Sequence, residues 1–105
     1  MIASTTGEIE NYKIDKILGV ARGNTVRAKW LGKDIIAGLR QLVGGELKEY
    51  TEMMTEAREQ AYQRMMDQAK EMGADAVVGI RFTSSDVTRA AAEILAYGTA
   101  VKLKK

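Results

Sequence analysis

The chain has 105 residues, enough for one domain with a core of its own. Sixteen basic side chains against fourteen acidic ones leave a net charge of +2, which singles out neither nucleic acid nor an anionic surface as a partner. Cysteine and histidine are both absent, which excludes disulfides, thiol catalysis and zinc sites of thiolate or imidazole, and removes the commonest general base.

Apolar residues make up 46% and charged residues 29%, the balance of a globular rather than a disordered chain. No apolar run approaches the roughly 20 residues that a membrane helix needs. Met1 to Gly7 lacks both the basic start and the apolar stretch of a signal peptide. A cytoplasmic protein without membrane contact is expected, as one domain over residues 1–105.

Ile2 to Ser4 is expected as a short strand, broken by Thr5-Thr6-Gly7. Ile9, Tyr12, Ile14, Ile17, Leu18 and Val20 lie in a stretch rich in β-branched residues, so roughly 9–28 reads as one long bent strand or a strand pair. Gly19 and Gly23 suggest bends or bulges within it. Lys29 to Lys33 reads as a turn holding Trp30. Asp34 suits a helix start, and Ile35, Ile36, Leu39, Leu42 and Val43 form an apolar stripe for a short helix that Gly44-Gly45 stops.

The strongest periodicity runs from Glu46 to Met72. Leu47, Tyr50, Met54, Ala57, Ala61, Met65, Ala69 and Met72 step by threes and fours, with Met53, Tyr62 and Met66 in a second row. The opposite side carries Glu52, Glu56, Glu59, Gln63, Asp67 and Glu71. Gly73 stands where a left-handed C-cap belongs. Ala76 to Thr83 follows as a strand, Ser84 to Arg89 as a polar hairpin loop, and Ala91 to Lys102 as a last strand with a basic tail, Lys102-Leu103-Lys104-Lys105. The class is α+β, with a small, mostly antiparallel sheet, one short helix and one long helix.

A helix of about 27 residues is about 40 Å long. A compact domain of this length has a radius of gyration near 13 Å. The helix is therefore expected to outreach its own sheet and to bury its remaining apolar surface against further copies of the chain.

Asp34 to Gly45, Tyr50, Ala57-Arg58 with Ala61, the segment Gly73-Ala-Asp75-Ala-Val-Val-Gly-Ile80, and Gly98-Thr-Ala-Val101 resemble the YbjQ-like family over nearly the whole chain. Ser4-Thr5-Thr6 fits as well. The resemblance implies a dodecin-like subunit assembling into a ring, typically a homopentamer and sometimes two stacked rings. It brings a heavy-metal-binding label, but no activity and no named cofactor.

Soft metals prefer thiolate, thioether and imidazole, which leaves Met53, Met54, Met65, Met66 and Met72. The two methionine pairs stand about three turns apart and cannot chelate one ion together; gap-filling at a helix interface is the competing role. Glu46, Glu49 and Glu52 suit a hard ion if symmetry gathers copies, or simply complement the helix dipole. The polar residues matching the family pattern are Thr5, Thr6, Asp34, Arg40, Tyr50 and Arg58. Thr5, Thr6, Arg40, Tyr50 and Arg58 are the candidate ligand-binding residues: Thr5-Thr6-Gly7 presents hydroxyls and amides to an anion, with Arg40 supplying charge. A structural role competes at each, Asp34 as a cap and Arg58 as half of an ion pair across a subunit interface. Asp75 suits a turn bond to backbone amides.

Gly19 to Gly23 and Gly44-Gly45 lack the spacing and lysine of a phosphate loop. Arg27, Lys29 and Trp30 form only a weak nucleic-acid signal, and nucleic acid is not expected as a partner. No carboxylate pair and no nucleophile with its base fall together by spacing, so an enzyme is not expected. Two functions remain: a ring that holds a small ligand or metal ion between subunits, and a structural or adaptor oligomer that recruits another protein.

Overall fold

The computed structural model describes residues 1–28, 48–88 and 91–104, with the side chains of 48–50 excepted. Four strands and one helix are described: β1 (Ile2–Ala3), β2 (Lys13–Ala28), α1 (Lys48–Glu71), β3 (Ala76–Thr88) and β4 (Ala91–Lys104). The short helix expected at Asp34 to Val43, the Trp30 turn and Gly44-Gly45 lie outside the described residues.

The strands form one mixed sheet in the order β1-β3-β4-β2. β4 runs antiparallel to both neighbours, and β1 adds two residues parallel to β3, with Ile2 opposite Ala76. β2 is one strand, not a pair. Its register to β4 shifts between Ile14 and Lys16 and again between Ile17 and Gly19, where Gly19 has φ 137°. Gly23 is no bend, because the pairing passes through it unbroken. Its place is explained by α1: a Cβ there would lie 2.3 Å from the Met65 nitrogen and 2.4 Å from the Ala61 oxygen. Only a residue without a side chain lets the helix backbone approach so closely.

α1 ends in a Schellman motif. The Gly73 N–H donates to Lys70 O (3.0 Å) and the Ala74 N–H to Ala69 O (3.1 Å), with Gly73 at φ 82°. That pattern needs a left-handed residue at this position, which is why glycine ends the helix.

One face of the sheet takes the helix. Ala57, Ala61, Met65 and Ala69 of α1 are buried with Ala21, Val77, Ile80, Ile94, Ala96 and Ala100, while Met54, Tyr62, Met66 and Met72 pack at the margin. The opposite face holds a smaller cluster, Ala76, Val78 and Val101, covered by Ile2, Ile9 and Leu103. Successive residues of a strand point to opposite faces, which sorts Val77 from Val78 and Ala100 from Val101.

Two expectations are corrected. Ser84 to Thr88 is not a polar loop but a continuation of β3, paired to β4 from Ser84↔Ile94 to Thr88↔Ala91. Likewise Lys102 and Lys104 are no free tail, since β4 runs through Lys104. Hydroxyl and charged residues face solvent on these extensions, so local polarity was a poor guide to pairing. The longer strands also reverse the length comparison. The 24 residues of α1 span about 36 Å, whereas the 16 residues of β2 span about 53 Å. The principal-axis extents are 54 × 27 × 16 Å, with a radius of gyration of 17.2 Å. The sheet outreaches the helix.

Candidate functional site

Ser4 to Glu8 forms a turn pinned to a bulge in β3. Val78 pairs with Thr99 and Arg81 with Tyr97, so Gly79 and Ile80 together oppose Gly98 alone. The extra residue turns two amides outward to the N-terminal segment: the Gly79 N–H donates to Thr6 O (2.9 Å) and the Ile80 N–H to Ser4 O (3.1 Å). The Ser4 N–H returns a bond to Val77 O at 2.9 Å.

The Ser4 and Thr6 hydroxyls bond to each other and to the backbone of the turn. Ser4 Oγ and Thr6 Oγ1 share a short hydrogen bond, the Thr6 N–H donates to Ser4 Oγ (3.0 Å), and Thr6 Oγ1 donates to Glu8 O (2.6 Å). Such Ser/Thr-to-backbone bonds shape turns, and they occupy the Thr6 hydroxyl proton. Thr5 is exposed, and its carbonyl accepts from Arg81 Nη1 at 2.8 Å. The same nitrogen donates to Ile80 O at 2.8 Å.

The cation at Thr5-Thr6 is therefore Arg81. Arg40, expected in that role, lies outside the described residues. Arg81 sits in a strand of alternating character, and the only signal that could have raised it was its place two residues past Gly79. Of the remaining candidates, Tyr50 stands in the first turn of α1 with its side chain undescribed. Arg58 is exposed on α1 and donates to Thr55 Oγ1 at 3.3 Å. The helix packs on the face opposite the Ile2–Ile9 cluster, and no hydrogen bond among the described residues joins Arg58 to the Ser4–Glu8 turn. One chain thus brings Thr5, Thr6 and Arg81 together, and leaves Arg58 elsewhere.

Asp75 bonds at longer range than a turn. Its Oδ2 accepts from the Leu103 N–H at 3.0 Å, and its Oδ1 lies 3.8 Å from Lys102 Nζ. It ties the residue after α1 to the last strand. Arg27 turns inward, donating to Gln60 Oε1 at 3.0 Å. That removes it from the base-stacking role weighed with Trp30 and Lys29, which lie outside the described residues.

A row that sequence inspection passed over runs along α1 at four-residue steps. Gln68 Oε1 accepts from the Arg22 N–H at 2.7 Å, Arg64 Nη1 donates to Asn24 O at 2.7 Å, and Gln60 Oε1 accepts from Thr25 Oγ1 at 3.2 Å. Gln68 and Arg64 satisfy backbone groups on the outer edge of β2, which would otherwise be open to pairing, while Gln60 holds a side-chain hydroxyl of the same strand.

The metal-ligand set can be tested on the same geometry. The chain supplies no thiolate and no imidazole. Of its thioethers, Met65 is fully buried and Met54, Met66 and Met72 pack against the same core. Glu52 is exposed, while Glu46 and the Glu49 side chain are not described. Among the described residues no three acidic side chains come together to hold an ion. The described residues of one chain do not fit a heavy-metal centre.

Fold and surface together define a two-layer α+β domain, a mixed four-stranded sheet with a helix on one face. No described helix is long and apolar enough to cross a membrane. The profile of the YbjQ family, whose description reads "Putative heavy-metal-binding", matches residues 1–104, and the chain belongs to that family. A UPF0145 protein of Thermosipho africanus is 60% identical over 105 residues, covering 100% of this chain and 97% of its own. One of Methanoculleus marisnigri is 59% identical over 103 residues, covering 98% and 96%. The fold is similar to a crystal structure of a protein of unknown function in the DUF74 family from Pediococcus pentosaceus. The TM-score is 0.66 at 18% identity, over 99% of this chain and 98% of that one.

Proposed function

We propose that this chain is the subunit of a homo-oligomeric ring of dodecin-like subunits, pentameric as the family resemblance implies. In this reading it is a cytoplasmic binding protein that holds a small ligand or ion between subunits and catalyses no reaction. One observation carries it: the sheet leaves much apolar surface in water. On the face of the sheet away from α1, Ile17 is 67% exposed, Val20 63% and Val26 54%. Large apolar side chains left in water on one sheet face suit an interaction surface, and copies of the same chain are its most economical cover. Interfaces between subunits are also where small-ligand pockets commonly form. The Ser4–Glu8 turn with Arg81 is the polar group we assign to such a pocket, because an exposed guanidinium beside threonines suits an anion.

Native mass spectrometry of gently purified, untagged protein tests both halves. Five subunits with an added mass support the ring and identify the ligand class. Five bare subunits keep the ring and favour an adaptor that recruits another protein. A bare monomer overturns the proposal.

A further inference from the structure

The C-terminal lysines are held at fixed positions by β4. Lys102 lies opposite Lys16 and Lys104 opposite Lys13. Like charges on directly opposed residues of neighbouring strands repel, so these two rungs are a locally unfavourable choice in an isolated chain. All four share the face that carries α1. Ala100, two residues before Lys102, lies in the core beneath the helix, and its partner Gly19 sits against the methyl of Met72. The lysine rungs are the next two outward, just past the C-terminal end of α1. Lys13, Lys16 and Lys104 are exposed, and among the described residues only Lys102 has an ion pair, with Asp75.

The complementary charge stands at the other end of α1. Glu52, Glu56 and Glu59 follow each other by four and three residues on the outward side of the helix. All three are exposed, and none has an ion pair among the described residues. Seven helical residues cover about 10 Å, and Lys13 to Lys16 along a strand covers about the same. The patches match in size and sign. Within one chain they cannot meet, since from Glu56 to the end of α1 the helix runs about 22 Å before the lysine rungs begin.

We propose that the lysine rungs of one copy, Lys13, Lys16, Lys102 and Lys104, dock on Glu52, Glu56 and Glu59 of a second copy. The inference rests on the homo-oligomer proposed above and adds the residues and polarity of one contact. Each copy gives its lysines to one neighbour and receives those of another on its acids. Such a head-to-tail contact is heterologous and closes into a ring when its rotation permits. The charges set register and orientation, while apolar faces carry most of the energy.

Sedimentation velocity on the full chain tests this, with circular dichroism confirming that each variant folds. Wild-type oligomer is expected to loosen as salt rises toward about 1 M, where the screening length falls to about 3 Å. Lys13→Glu/Lys16→Glu and Glu56→Lys/Glu59→Lys should each weaken assembly on the order of tenfold or more. The four changes combined in one chain should restore the oligomer, and mixing the two double variants should give heteromers if the combined chain does not fold. A wild-type oligomer that both salt and the double variants leave intact overturns the contact and spares the ring. A monomeric wild type overturns both. Double variants that dissociate without restoration or heteromers also overturn the contact, and loss of wild-type heparin retention in Lys13→Glu/Lys16→Glu would then assign the lysines to a polyanion.

Discussion

A methyl group at Gly23 would fall 2.3 Å from the Met65 nitrogen and 2.7 Å from the Arg64 carbonyl carbon. Neither backbone atom can move without lifting α1 from the sheet. Gly23→Ala is expected to cost about 3 kcal/mol, measured by urea denaturation, the upper end of what overpacking usually costs. Met65 marks the same contact from the helix side. Its side chain is fully buried, so Met65→Ala should destabilise the subunit by about 2–5 kcal/mol. A charge at Met65 would then unfold the subunit rather than split an assembly, because that methionine faces its own sheet. Metal chemistry is decided at this scale too. With the core sulfurs packed against carbon and no histidine or cysteine present, titration with cadmium or copper(I) should release no heat beyond dilution. Stoichiometric uptake would point to donors shared between subunits.

Along α1, residues four apart divide the work between two sides. Ala57, Ala61, Met65 and Ala69 fill the space over β2 and β4, while Gln60, Arg64 and Gln68 reach over the flank to the edge of β2. The three alanines of the first row let the helix sit low enough for the second row to reach the strand. Gln68→Ala removes the acceptor of the Arg22 N–H, and hydrogen exchange at that amide should accelerate while core amides stay protected. Arg64→Ala leaves Asn24 O without its 2.7 Å donor. It should cost about 1 kcal/mol and raise the tendency to aggregate through the edge, read by light scattering during thermal unfolding. On the other flank Tyr62 stacks with Phe82 at 6.5 Å between centroids, the aromatic link between α1 and β3.

Considered whole, the chain is an elongated slab, 54 × 27 × 16 Å. Among the described residues, a sheet of strands this long carries one helix about 36 Å long on one face, and large apolar side chains on its other face stay exposed. Ile17 and Val20 are the most exposed large residues there, at 67% and 63%. Ile17→Lys and Val20→Lys should therefore leave the melting of an isolated subunit almost unchanged. In native mass spectra the same variants should shift the population from oligomer to monomer. An unshifted distribution would place the interface elsewhere on the slab.

Periodicity was enough to read α1, its core row and the cap at Gly73, because a helix is specified by contacts three and four residues apart. The family pattern was legible for a similar reason, being carried by short contiguous segments such as Gly73 to Ile80. The pairing of Ser84 to Thr88 and of Lys102 to Lys104 was not legible. A polar strand looks like a loop until a partner strand fixes it, and the partner is distant in sequence. Arg81 beside Thr5 depends on a bulge that turns the Gly79 and Ile80 amides outward, and the meaning of Gly23 depends on where α1 lands. The sequence alone thus determined the local elements and the family. Tertiary structure decided which charges stand together and which apolar face is left bare, because those are set by register and by the packing of the helix on the sheet.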